Sequence, residues 1–300
     1  MSTAPNAPTP APRRRLASLR RFARSRSAVA GAAGLLVLAA LALFAPLVAP
    51  FDPAAQDGEP LLGPSGAHLL GTDQLGRDIL SRLIYGARAS LVAAAGAAAV
   101  GAGIGVPLGL LAGYLGRWVD AVAMRLVDLL LAVPGILLAL VIIVVLGPGR
   151  LNLILAIGIG AVPEFARLTR VATLSIRDRD FVLAARGMGA STPDTMVRTV
   201  LPNVLGPIVI QLVVTASMAV VVEAGLTFLG LGTPPPAPSW GGMLQDARSY
   251  LYQSPSYGLF PGLCLVATVF CLDRIGRGLQ LAVSGSGPHV AARVTTGGAV

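Results

Sequence analysis

Asp128, Glu164 and Glu223 each border a long apolar run, and a carboxylate so placed could relay a proton or hold an ion. Each stands near the end of its run, within reach of a headgroup or a neighbouring helix, so an interfacial or structural role is favoured over a relay. His68 and His289 both lie outside the runs and assemble no metal site. Cys264 and Cys271 fall inside one apolar run and read as buried thiols. The cationic charge is all arginine. Without lysine the chain can form neither a G-x-x-x-x-G-K-[ST] phosphate loop nor a Schiff base. Zincin and nucleophile-elbow motifs are also missing. No catalytic residue, metal ligand or cofactor is assigned to this chain.

The elements around these residues are set by composition. Of 300 residues, 54% are hydrophobic and only 12% charged, and the net charge is +9. The mean hydropathy is +0.75. Soluble domains carry about 25% charged residues, so the apolar excess must face lipid. The arginines cluster beside apolar runs without interleaved aromatics, which points to membrane topology and away from nucleic acid.

A span needs about 20 apolar residues. Runs of that order cover residues 27–51, 89–116, 129–149, 199–222 and 249–272, and a shorter one covers 151–163 and extends towards Arg167. The expectation is an all-α integral membrane protein with six transmembrane helices. The first run exceeds a signal-peptide core and has no small-residue cleavage site, so it reads as an anchor. With the N-terminus inside, Arg77, Arg82, Arg88, Arg150 and Arg248 fall outside and the other eighteen of the 23 arginines inside. Arginine bias therefore places both termini in the cytoplasm and residues 52–88 and 224–256 outside. Residues 1–27 read as a disordered basic tail against the lipid surface, and 281–300 as a second disordered tail.

Four glycines recur at every fourth position: Gly101, Gly105, Gly109 and Gly113. On a helix they form one smooth stripe on which a second membrane helix can pack closely. Residues 76–88 alternate as an amphipathic helix suited to the interface ahead of the second span. Residues 234–256 carry Trp240, Tyr250 and Tyr252 as interfacial anchors. The long loop 167–203 is punctuated beyond what a solvated loop needs. A helical pattern over 178–188 stops at Gly189, which suits a left-handed cap. A second helix follows with Thr192 as N-cap, Pro193 at N1 and Asp194 in the first turn, and it runs to a bend at Pro202.

Within that loop, Ala184-Ala185-Arg186-Gly187-Met188-Gly189, then Thr199-Val200-Leu201-Pro202, resembles the E-A-A-x-x-x-G-x9-I-x-L-P loop of bacterial ABC importer permeases. Leu183 stands at the motif's Glu and Thr199 at its Ile. Residues 71–83, Gly-Thr-Asp-Gln-Leu-Gly-Arg-Asp-Ile-Leu-Ser-Arg-Leu, are similar to a block of the dipeptide/oligopeptide/nickel branch. So are 111–114, 124–128, 228–232 and 238–241, while 271–280 match poorly. The resemblance implies a type-1 ABC importer transmembrane domain over 89–280, preceded by a first helix and outer segment over 28–88. It implies a second homologous permease, two cytoplasmic ATPases that bind the ATP, and an extracytoplasmic binding protein. The glycine stripe would then pack against the second permease. Phe181, Ala184, Ala185, Gly189, Leu201 and Pro202 would make the ATPase contact, and peptides lead as substrates, ahead of nickel. A proton-coupled secondary transporter is the alternative, but it calls for mid-membrane ionisable groups and internal repeats. An intramembrane enzyme would need a nucleophile–base pair within the spans.

Overall fold

A computed structural model describes residues 20–284 of the chain, so most of the two tails lies outside the described residues. The first helix, α1, spans Arg26–Leu43 and starts at Ser25, whose hydroxyl accepts from the Ala28 N–H. One further turn, α2 at Ala45–Val48, leads to an irregular segment. Helix α3, Ile79–Leu115, is 37 residues long and is capped by Asp78, which accepts from Ser81 N at 2.8 Å. At 1.5 Å per residue such a helix is about 55 Å long, well beyond a bilayer core of about 30 Å.

That length corrects the expected interfacial helix over 76–88. Its residues are the opening turns of α3, and the polar side is as buried as the apolar one: Ser81 and Arg82 are buried along with Ile79, Leu83 and Ile84. Helical periodicity had marked two faces, and both are covered by protein.

The third expected span is two helices, α4 at Arg117–Leu131 and α5 at Gly135–Leu146, bent by 85° at their junction. Pro134 explains the break, because it disfavours helix at Val133 and supplies no N–H of its own. After a turn through Gly147 (φ 84°), α6 runs over Arg150–Leu174, through Pro163 and well past the expected end. Short helix α7 covers Asp180–Gly187, and α8 covers Thr192–Asp194. A π-helical turn over Thr195–Val200 joins α8 to α9, Leu201–Phe228. The expected bend at Pro202 is not made. Pro202 sits in the first turn of α9, where a missing N–H is harmless, and the chain continues straight into the fifth span. Helices α10, Trp240–Ala247, and α11, Pro255–Ser284, complete the described chain.

Among the described residues five helices are long and apolar enough to cross a membrane, with α8, the π-turn and α9 counted as one, and the bent α4–α5 pair brings the number to six when taken as one span. The only pairing of extended backbone among the described residues is one isolated bridge, Thr72 with Asp78. The most extensive contact is α3 along α6, followed by α1 on α11 and α9 on α3. A central cluster of Ala97, Ile143, Leu153, Ala156 and Val220 joins α3, α5, α6 and α9. Lipid-side surfaces are apolar, with Leu36, Val144 and Val145 exposed. Lipid tails are as apolar as these side chains, so close packing must hold the helices together.

Candidate functional site

The glycine stripe lies against the chain's own α6. A Cβ added at Gly105 would stand 2.6 Å from Phe165 Cβ and from the Val162 carbonyl oxygen. One at Gly113 would meet Arg170 O at 2.8 Å, and one at Gly109 would overlap Ala166 O outright. Gly101 faces Ala161 in the same way, and Gly158 on α6 receives Val100 in return. The expected partner of this stripe was a second permease. The geometry makes it an internal seam, because α3 and α6 are the pair whose backbones nearly touch.

The segment between the fourth and fifth spans is built around Val182. Its side chain is fully buried among Leu110 and Tyr114 of α3 and Met196 and Val200 of the π-turn, with Ile176 and Leu201 alongside. Asp180 opens α7 and Arg186 closes it, each complementing the helix dipole. The exit is a Schellman motif: Ala190 N bonds Ala185 O at 3.1 Å and Gly189 N bonds Arg186 O at 2.9 Å. Gly189 holds the left-handed conformation this requires, at φ 87°, and a Cβ there would meet nothing within 4 Å. Its constraint is conformational, not steric. The N-cap of the next helix is Ser191, one residue before the expected Thr192; Ser191 Oγ accepts from Asp194 N. Thr192 and Pro193 therefore occupy the first two helical positions.

With Val182 turned inward, Phe181, Leu183, Ala184 and Met188 are exposed, and Ala185 is half-buried. Gly189 is exposed beside them. Leu201 belongs to the buried side, where it packs under α7, whereas Pro202 is exposed. Of the six residues expected at the ATPase contact, the fold thus presents Phe181, Ala184, Gly189 and Pro202 outward and uses Leu201 to seat the helix.

Sequence reasoning missed what fastens α7 to the spans. Arg186 Nε donates to Tyr114 Oη at 2.8 Å, and Arg177 Nη1 donates to Gly113 O at 3.2 Å. Arg170 of α6 grips Asp120 of α4 with two hydrogen bonds. Nothing in the one-dimensional pattern pairs Tyr114 with Arg186, 72 positions along the chain.

The three carboxylates are all partnered. Asp128 accepts from Arg167 Nη2 at 2.7 Å in an exposed pair. Glu164 accepts from Gln211 Nε2 at 2.7 Å. Glu223 is 1% exposed and accepts from Ser90 Oγ at 3.0 Å and Thr227 Oγ1 at 3.2 Å, which ties α9 to α3. Two aromatic and thiol expectations change. Trp240 is fully buried, its indole donating to Leu83 O at 3.0 Å over Gly86, so it anchors α10 to α3 instead of the bilayer surface. Both cysteines are only half-buried.

A bundle of six spans, with a short, outward-facing helix seated between the fourth and fifth, defines the transmembrane domain of a type-1 ABC importer. Solved structures of inward-facing conformations of the MetNI methionine ABC transporter share this fold. One has a TM-score of 0.55 at 22% identity, covering 68% of this chain and 97% of the other. The chain belongs to the binding-protein-dependent transport system inner membrane component family, whose model matches residues 105–284. Residues 15–64 match the N-terminal TM domain of oligopeptide transport permease C. The di/tripeptide transport system permease protein DppC of Pseudomonas aeruginosa is 41% identical over 86% of this chain and 88% of its own length. The glutathione transport system permease protein GsiD of Pectobacterium atrosepticum is 41% identical over 87% of each. The protein is therefore a multi-pass inner-membrane permease subunit of an ABC importer, and not itself an enzyme.

Proposed function

We propose that the chain forms half of the translocation pathway of a peptide importer, with dipeptides or short oligopeptides as substrates. A second homologous permease completes the pathway. Two cytoplasmic ATPases bind and hydrolyse the ATP, and an extracytoplasmic binding protein delivers the solute. Coupling to an ATPase runs through residues 181–202. The observation that carries this reading is α7: an eight-residue helix with one buried anchor, Val182, and an exposed face of Phe181, Leu183, Ala184 and Met188. A face of that kind matches docking of an amphipathic helix in a groove of a soluble partner. ATPase closure would then move the spans as rigid bodies. The peptide relatives support the substrate class.

The test is uptake of labelled dipeptide into proteoliposomes holding the complete complex and its binding protein. Uptake should need ATP and persist when the proton gradient is collapsed. Uptake driven by the gradient alone would instead support the secondary transporter. Orientation follows from arginine bias, with both termini cytoplasmic. Cysteines placed at exposed Ser65 and Tyr252, in a chain lacking Cys264 and Cys271, should react with an impermeant thiol reagent in intact cells, and one at Ser191 should not. The reverse pattern would invert the topology.

A further inference from the structure

At the end of α3 remote from α7, the structure forms a partly open cavity of about 250 Å3. Three connections converge on it: Gln74, Arg77 and Arg82 around the start of α3, Pro148 between α5 and α6, and Gln245 and Asp246 of α10. Both arginines are only 4% exposed. Asp73 pairs with both but hydrogen-bonds only one: its Oδ2 takes Arg77 Nε at 2.6 Å, and its Oδ1 takes the N–H groups of Leu75 and Arg77.

Arg82 is left short. Its Nε stands 3.3 Å from Asp73 Oδ2 without making a hydrogen bond, and its Nη1 reaches only Pro53 O, also at 3.3 Å. Gln74 Oε1 is buried and has no partner either. Buried polar groups are satisfied in about nine cases out of ten or more, so each unmet one calls for an explanation. The residues that carry these two unmet atoms, Arg82 and Gln74, both line the cavity, and its charged lining is two arginines against Asp246. Guanidinium donors fit a carboxylate. Gln74 Oε1 and the Asp246 carboxylate, which lies 3.8 Å from Arg77 Nη2, suit an ammonium.

We propose that this cavity binds a small zwitterion, with its carboxylate on Arg82 and Arg77 and its ammonium on Asp246 and Gln74. The proposal rests on the peptide-import reading, since a free peptide carries both groups, and it makes the cavity a station between the binding protein and the pathway.

The experiment uses the complete importer in nanodiscs, with Ala237→Cys at the exposed rim of the cavity and Cys264 and Cys271 replaced by Ser. Labelling by a thiol reagent is timed with a free dipeptide, its C-terminal amide and its N-acetyl form. The free dipeptide should slow labelling about tenfold more than either blocked form, the scale of one charge-assisted hydrogen bond. Arg82→Gln should abolish this protection. Gln74→Ala, which leaves the Asp73–Arg77 pair intact, should weaken it severalfold. Equal protection by all three ligands, or full protection in the Gln74 and Arg82 variants, would overturn the site. Uptake of dipeptide without any protection sinks the site alone. Protection without any peptide uptake sinks the import reading and leaves the site standing.

Discussion

Arg186 and Tyr114 meet across the boundary between α7 and the longest span: Nε donates to the phenol at 2.8 Å while the guanidinium carbon lies 4.6 Å from the ring centroid. The hydrogen bond and the cation–π contact fix the last turn of α7 to the last turn of α3. Tyr114 is buried, so under the proposed docking of an ATPase on α7 a push would be delivered to α3. Through the glycine seam α3 would carry α6 with it. On that proposal the first unit to move is the α3–α6 pair.

Tyr114→Phe keeps the ring and loses the hydrogen bond, whereas Arg186→Gln loses the cation. An exposed cation–π contact is worth about 0.5–1 kcal/mol. Both variants should assemble normally and hydrolyse ATP, with uptake per ATP reduced about twofold for Tyr114→Phe and further for Arg186→Gln. An unchanged uptake-to-ATPase ratio in both would show that the force takes another route.

The glycine seam predicts a stability effect inside one chain. Gly109→Leu drives a side chain into the Ala166 carbonyl, and overpacking of a tight core costs about 1–3 kcal/mol or more. At Gly103, exposed on the same helix, an added Cβ meets nothing within 4 Å, which leaves Gly103→Leu as the control. In detergent, Gly109→Leu should lower the melting temperature of the isolated permease and Gly103→Leu should leave it unchanged. Equal melting of the two would remove the seam.

Glu223 separates structural from proton-relay roles. Gln keeps a carbonyl acceptor for one of the two hydroxyls and offers the other an amide N–H that a rotated hydroxyl oxygen can accept, but Leu leaves two buried hydroxyls unmatched, at about 1–3 kcal/mol each. Glu223→Gln should transport and melt like wild type, and Glu223→Leu should melt lower. Loss of uptake in a stable Glu223→Gln protein would make the carboxylate functional.

Helix type and span number were legible because apolar length and arginine placement act locally along the chain. Gly189 was legible for the same reason: a C′ glycine is a property of one turn. Long-range closure was not. Residues 76–88 looked interfacial because their cover, Trp240, comes from a distant segment, whereas Asp73, the partner of Arg77, lies only four positions before it. Trp240 looked interfacial because its acceptor, Leu83 O, is 157 residues away. The stripe at Gly101–Gly113 announced close packing but not its partner, since any helix with small residues satisfies the same spacing. In α7, Val182 was overlooked because one inward residue in eight makes no periodic signal.

Gly189 gives the sharpest test of coupling, because conformation and space can be separated there. Its φ of 87° is left-handed, and a Cβ added at this position would have no atom within 4 Å, so substitution costs only backbone strain. For an alanine that strain is about 1–2 kcal/mol, and for a β-branched residue it is greater. Asparagine tolerates the left-handed region far better. The expected order of uptake is therefore wild type, Gly189→Asn, Gly189→Ala, Gly189→Val, with substrate-stimulated ATP hydrolysis falling in the same order. None of these changes touches a span, so the protein should insert and co-purify with its partners in every case. Ala185→Glu complements the series by leaving the backbone alone and adding a charge at the half-buried edge of the exposed face, where a docked partner would have to bury it unpaired. It should depress uptake and stimulated hydrolysis together. Measured in proteoliposomes with the binding protein, wild-type activity in both Gly189→Val and Ala185→Glu would show that residues 181–202 do not carry the stroke.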